Sequence, residues 1–180
     1  MESITFRNEE NGWTILDLDS GGELITVVGE LPEIYPGEEL HLMGGWVQHP
    51  SFGQQFKAEV CERDLPASAS AILRYLSSGA VKGIGPATAA KLVLQFGEDT
   101  LNIIETEPEK LTKIRGITPA KARAISEDYA MKFGMREAAL FLGQYGLTPA
   151  EVMRVWKRWG SRTIERVKER DVYKRQGQAL

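Results

Sequence analysis

Gly83-Ile-Gly-Pro-Ala87, Gly116-Ile-Thr-Pro-Ala120 and Gly146-Leu-Thr-Pro-Ala150 repeat one pattern, glycine–apolar–small–proline–alanine, at intervals of 33 and 30 residues. A period in this range is the mark of stacked helical hairpins, in which each turn ends one helix and opens the next. The first glycine supplies a positive φ, and proline suits the first helical position. The second glycine of the first turn, Gly85, is expected to let another backbone come close. Apolar spacing predicts a helix over Ala69–Ser78 carrying Ile72, Leu73 and Leu76, and another over Ala87–Phe96 with Ala90, Leu92 and Val93 toward a core. Shorter helices are expected over 99–104 and 108–111. The flanks repeat as well, since Phe96-Gly-Glu-Asp-Thr-Leu101 parallels Trp159-Gly-Ser-Arg-Thr-Ile164. Residues 65–170 therefore read as an all-α tandem array.

The front of the chain has a different period. Ile4–Phe6 and Trp13–Leu18 flank Asn11-Gly12, a hairpin turn signal. Leu24–Gly29, Leu40–Met43 and Gln55–Val60 follow, separated by Gly-Gly, Pro-Gly and Ser-Phe-Gly segments. Five short strands with a turn every ten residues or so point to a small barrel of the OB type. Asp64-Leu-Pro66 marks its end, because proline stops the strand and an Ala/Ser-rich helix begins. The fold class expected is α+β, with an OB-like β-barrel over 1–64 followed by the all-α array.

Charge divides at the same place. Residues 1–64 hold three Lys or Arg against thirteen Asp or Glu, a net −10, and residues 65–180 hold nineteen against twelve, a net +7. Polyanion binding therefore belongs to the back half. Apolar content of 42% and charged content of 26% are those of a globular protein, not a disordered one. There is no signal-peptide pattern and no apolar run of membrane-spanning length, so a cytoplasmic location is expected and no membrane partner. Cys61 is the only cysteine, and His41 and His49 lack a metal-ligand spacing. No metal site is expected.

The hairpin turns carry the chemistry. A helix start presents unpaired amides and the positive end of the helix dipole, which together favour an anion such as a nucleic-acid phosphate. In the first turn the amides of Gly83, Ile84 and Gly85 are the candidates, with Lys82 and Lys91 adding charge. In the second they are Gly116 and Ile117, with Arg115, Lys121 and Arg123. Thr118 and Thr148 replace the second glycine, and because a β-branched residue resists positive φ these two turns are expected to be distorted or purely structural. Glu151 would repel a phosphate at the third turn, which is assigned an architectural role. Arg154, Lys157, Arg158, Arg162, Arg166, Lys168 and Arg170 form the most basic stretch. Within it Arg154, Arg158 and Arg162 are weaker candidates, since Gly160 interrupts their helical spacing. The aromatics Trp13, Trp46, Phe52 and Phe56 are assigned to the barrel core rather than to base stacking, because a module of charge −10 repels a phosphate chain. Trp156 and Trp159 anchor the last hairpin.

These turns resemble the helix-hairpin-helix motif of DNA-repair and recombination proteins. With Ile4-Thr-Phe-Arg-Asn-Glu-Glu-Asn-Gly-Trp13, Val27-Val-Gly-Glu-Leu-Pro32, Gly45-Trp-Val-Gln-His-Pro50 and Phe52-Gly-Gln-Gln-Phe56, residues 2–170 resemble the start of bacterial RecD-like ATP-dependent DNA helicases. The resemblance implies an OB-like barrel and a helix-hairpin-helix region placed ahead of ATPase motor domains. It implies sequence-independent engagement of single-stranded or forked DNA, with ATP and magnesium used by the parent enzyme. No Gly-x-x-x-x-Gly-Lys-Ser/Thr occurs in the sequence, so no cofactor is expected on this chain and it is not itself the motor. The tail 171–180 departs from the family pattern and is read as a truncation point or assembly scar. Two other readings stay open: a stand-alone junction-binding scaffold resembling RuvA, and a protein–protein adaptor with purely structural hairpins. Asp128 as the catalytic base of a base-excising enzyme is disfavoured, since it sits among Ser-Glu-Asp-Tyr in what reads as an exposed helix.

Overall fold

Five strands open the chain: β1 (Ser3–Arg7), β2 (Trp13–Ser20), β3 (Glu23–Glu30), β4 (Glu39–His49) and β5 (Gly53–Asp64). The computed structural model describes residues 1–169. The strands form one sheet in the order β1-β2-β3-β5-β4, antiparallel except where β3 meets β5. Its inner face buries Leu16, Val27, Leu31, Ile34 and Ala58, with Leu40, Leu42, Phe56 and Cys61 packed beside them. Burial pushes the Cys61 thiol up to about 11, so it is protonated and inert at neutral pH.

β4 is far longer than the Leu40–Met43 expected. The ladder continues through Gly44-Gly45 to His49↔Gly53, with a register shift between Met43 and Gly44. A Cβ at Gly44 would collide with the Lys57 carbonyl oxygen. Glycine is there to let two backbones touch at a bulge, and the strand resumes beyond it.

The helices follow as α1 (Ala69–Ser77), α2 (Pro86–Phe96), α3 (Thr100–Thr106), α4 (Pro119–Gly143) and α5 (Pro149–Trp159), with 3-10 turns at Gly97–Asp99, Pro108–Lys113 and Gly160–Arg162. Their first core gathers Ile72, Tyr75, Leu76, Val81, Ile84, Leu92, Ile104, Leu111, Ile117 and Ile125. On α2 it is Ala89, not Ala90, that joins Leu92 inside; Ala90 is exposed, one position round the helix from the face expected.

The chain divides into two compact units, Met1–Ala130 and a second beginning at Met131. The first holds the sheet and the first two hairpin turns. The loop after β3 joins them: Tyr35 packs edge-on against Tyr75 of α1 at 5.9 Å, and a Cβ at Gly37 would strike the Ala71 carbonyl. Beneath that loop lies a buried ion pair. Arg63 Nη2 donates to Glu38 Oε1 at 3.0 Å and Oε2 at 3.2 Å, and the Tyr35 amide donates to Oε2 at 2.7 Å. The second unit holds the third hairpin, in which Trp156 lies against Gly134. The repeat seen in the flanks is exact in geometry: Gly97 (φ 56, ψ −130) and Gly160 (φ 55, ψ −133) each end a helix, and each accepts on its carbonyl from the hydroxyl of a fully buried threonine, Thr100 or Thr163. The tail 171–180 and Arg170 lie outside the described residues. Among the described residues no helix is long and apolar enough to cross a membrane.

Candidate nucleic-acid interface

The first glycine of each turn has the positive φ expected, +94° at Gly83, +97° at Gly116 and +79° at Gly146. The second position does not. Gly85 is extended (φ −94, ψ 178) and caps α2, and Thr148 is likewise extended (φ −72, ψ 159) as the cap of α5. No described residue other than glycine has positive φ. Threonine at this position is therefore unstrained, and the expected distortion of the second and third turns does not occur. Nor does Gly85 admit a neighbouring backbone, since a Cβ there meets nothing within 4 Å.

What changes with Gly→Thr is the supply of free amides. In the first turn Ile84 N donates to Val81 O and Ala89 N to Gly85 O, and Gly85 has no side chain to cap the rest. Among the described residues no acceptor meets the amides of Gly83, Gly85, Ala87 and Thr88. In the second turn Ile117 N donates to Ile114 O, and the Thr118 hydroxyl accepts from Lys121 N at 3.2 Å. In the third a full capping box closes the site: Glu151 N donates to Thr148 Oγ1, and Thr148 N to Glu151 Oε2 at 2.8 Å. The Thr148 amide holds the Glu151 carboxyl below the usual carboxylate range, so the box stays charged at neutral pH. The turns thus run from open, through half-capped, to closed.

The sequence marks Ile84 and Ile117 as phosphate donors. Their amides close the turns instead, and their side chains are buried in the core. The remaining candidates stand at the surface. Lys82, Gly83, Gly85, Lys91, Arg115, Gly116 and Arg123 are exposed and Lys121 is half-buried. Arg154 and Arg158 are exposed on α5, and Arg162 lies beyond the Gly160 cap, so the three do not form one stripe.

Asp128, disfavoured as a catalytic base, has a different task. From α4 its Oδ2 accepts from the Lys82 amide at 2.8 Å, and one helical turn earlier Ile125 lies against Gly83. The helix that starts at the second turn therefore clasps the first. Sequence gave no signal for this beyond the i, i+3 spacing of Ile125 and Asp128. Gly83→Ala should destabilise the chain by about 1–3 kcal/mol, through strain at positive φ. It should cost more than Gly116→Ala, because its Cβ would lie 3.2 Å from Ile125 Cγ1 whereas one at Gly116 meets nothing. Equal losses in chemical denaturation of the two variants would rule out the clasp as the difference.

Residues 1–66 match the family model described as the OB-fold domain of the ATP-dependent DNA helicase YrrC, and residues 73–128 match the SAM-like helix-hairpin-helix tandem. Among curated proteins the chain is similar to the ATP-dependent RecD2 DNA helicase of Deinococcus radiodurans, 24% identical over 174 residues. That alignment covers 95% of this chain and 23% of the relative, so the chain spans under a quarter of the relative's length.

Proposed function

From a chain with the N-terminal architecture of a RecD-like ATP-dependent DNA helicase, we propose a role in holding DNA by its backbone, without reading sequence, for motor domains that follow in the parent protein. The observation that carries this is the gradation of the turns. The first offers uncapped amides beside Lys82 and Lys91, whereas the third is sealed by its own Thr148 and Glu151. A structural hairpin gains from capping; leaving the first turn bare costs stability unless an anion completes it.

In this reading the amides of Gly83 and Gly85 and those opening α2 hold one phosphate, and the amide of Gly116 with Arg115, Lys121 and Arg123 holds another. Each such contact is worth roughly 1–3 kcal/mol, which makes attachment weak and salt-sensitive. The functional boundary is drawn at 64/65, with the helical part up to 170 as the DNA-facing module. ATP and magnesium would act on the motor domains, in the cytoplasm, during repair or recombination.

The test is fluorescence anisotropy of the chain with single-stranded, duplex and forked DNA across a salt series. With a few phosphates neutralised, log affinity should fall against log salt with a slope of roughly −2 to −4. Binding should be indifferent to sequence. No binding at low salt would make all three turns architectural and give the lead to a protein adaptor.

A further inference from the structure

The barrel aromatics do not all lie in the core. Trp46 is 55% exposed and Phe52 76%, and Trp13 lies on the opposite side of β2 from the buried Leu16. Trp13 adjoins a row of side chains that the interior does not account for. Phe6 pairs with Ile15, Ile15 with Val28 and Val28 with Lys57, so the row crosses β1, β2, β3 and β5. It occupies the outer face, because Leu16 and Val27, the strand neighbours of Ile15 and Val28, are the ones in the core. Val28 is buried, Ile15 half-buried and Phe6 50% exposed. An antiparallel sheet packed on one face ordinarily turns polar side chains to water on the other. Along this row β1, β2 and β3 are apolar on both.

Carboxylates stand on either side of the row. Glu30 lies two residues beyond Val28 on β3, paired with Trp13, and Asp17 lies two residues beyond Ile15 on β2. Two residues of strand span about 7 Å, so acid, apolar and acid succeed one another at the repeat of an extended chain. The hydroxyls of Ser3 and Thr26 donate to Asp17 Oδ2 and Oδ1, at 3.5 and 3.3 Å, and hold that carboxylate on the outer face. Glu30 is exposed and forms no ion pair among the described residues. Residues 1–30 hold seven Asp or Glu against Arg7 alone. Arg7 turns to the other face, where its Nη1 donates to Thr14 Oγ1 and to the carbonyls of Leu31 and Pro32. A phosphate-bearing surface, whether nucleic acid or anionic membrane, is repelled here, and so is the same face of a second copy.

We propose that the outer face of β1, β2 and β3 docks an extended basic segment of a partner protein. An apolar side chain of that segment sits on the row Phe6–Ile15–Val28, and a lysine or arginine two positions to either side meets Glu30 and Asp17. Charge complementarity fixes the sign of the ligand, and the strand repeat fixes its spacing. The inference goes beyond the DNA-holding reading: the acidic barrel takes a polypeptide on side chains separate from the hairpin turns.

The test is anisotropy of the full chain with a labelled peptide repeating Lys-Ser-Leu-Ser, which sets lysine and leucine two positions apart. Two controls replace every lysine by glutamate or every leucine by serine. The first peptide should bind roughly tenfold or more tighter than either control. Phe6→Ser and Glu30→Lys should each weaken it by roughly fivefold or more. Both side chains reach the surface, so the variants should fold, which circular dichroism checks. No binding of the first peptide would overturn the proposal, as would equal binding of the leucine-free peptide, which marks diffuse charge attraction. Variants that bind the first peptide as the parent does would overturn it too. Loss of oligo-dT binding in Phe6→Ser would give the face to nucleic acid instead. Failure of the phosphate seats is separate, since it would show as absent DNA binding with the peptide preference intact.

Discussion

Glu38→Ala should unfold the barrel and the first hairpins together, at a cost of about 3–5 kcal/mol. Glu38 is fully buried and Arg63 is 10% exposed on its side chain, so removing the carboxylate strands a guanidinium away from water. Burial already lowers the Arg63 pKa, a sign of how poorly the site tolerates that charge. The substitution also orphans the Tyr35 amide, which donates to Glu38 at 2.7 Å, in the loop that rests on Tyr75. The control is Glu38→Met with Arg63→Leu, which removes both charges and should lie well above the single variant in stability. Urea unfolding followed by intrinsic fluorescence reads both. A single variant no worse than the double would mean that the pair is solvated and inessential.

Lys82→Glu combined with Lys121→Glu should weaken duplex and single-strand binding on the order of a hundredfold at low salt, since each reversal removes a cation from a phosphate seat and adds a repulsion. Both side chains reach the surface and neither forms an ion pair among the described residues, so stability should hold within about 0.5 kcal/mol. The same reversal at Arg154 and Arg158, beside the sealed third turn, should cost much less. Anisotropy at one low salt concentration separates the two cases. Equal losses would show diffuse electrostatic attraction rather than seats built at particular turns.

The architecture was legible because it is written in periodic features. The thrice-repeated Gly-apolar-small-Pro-Ala, and the Gly…Thr flank whose two copies agree within a few degrees of φ and ψ, report backbone geometry directly. The OB-like sheet was legible from its turns. What failed were inferences that depend on what a residue faces. Thr118 and Thr148 were read as strained glycine replacements, but the second position of the turn is an extended helix cap, where threonine serves better than glycine. Ile84 and Ile117 were counted among open amides because a linear sequence does not show that their N–H groups close the turn behind them. Trp46 and Phe52 are largely exposed, and were assigned to the interior because charge was averaged over 64 residues, hiding a stretch from Leu40 to Ala58 that holds no Asp or Glu. The fourth strand was expected over Leu40–Met43 alone, although close backbone contact at Gly44 lets the ladder run on to His49.

The tie from Asp128 to the Lys82 amide gives the first two hairpins a shared metric. The helix that begins at the second turn is tied to the first, so phosphate seats at these turns, as proposed, would not drift apart as independent fingers would. A strand whose consecutive phosphates already match that fixed gauge engages both without an ordering penalty, while a mismatched one engages a single seat. If the turns hold phosphates as proposed, such a calliper would be blind to bases and sensitive to backbone contour, and would discriminate among forms of DNA while remaining indifferent to their text.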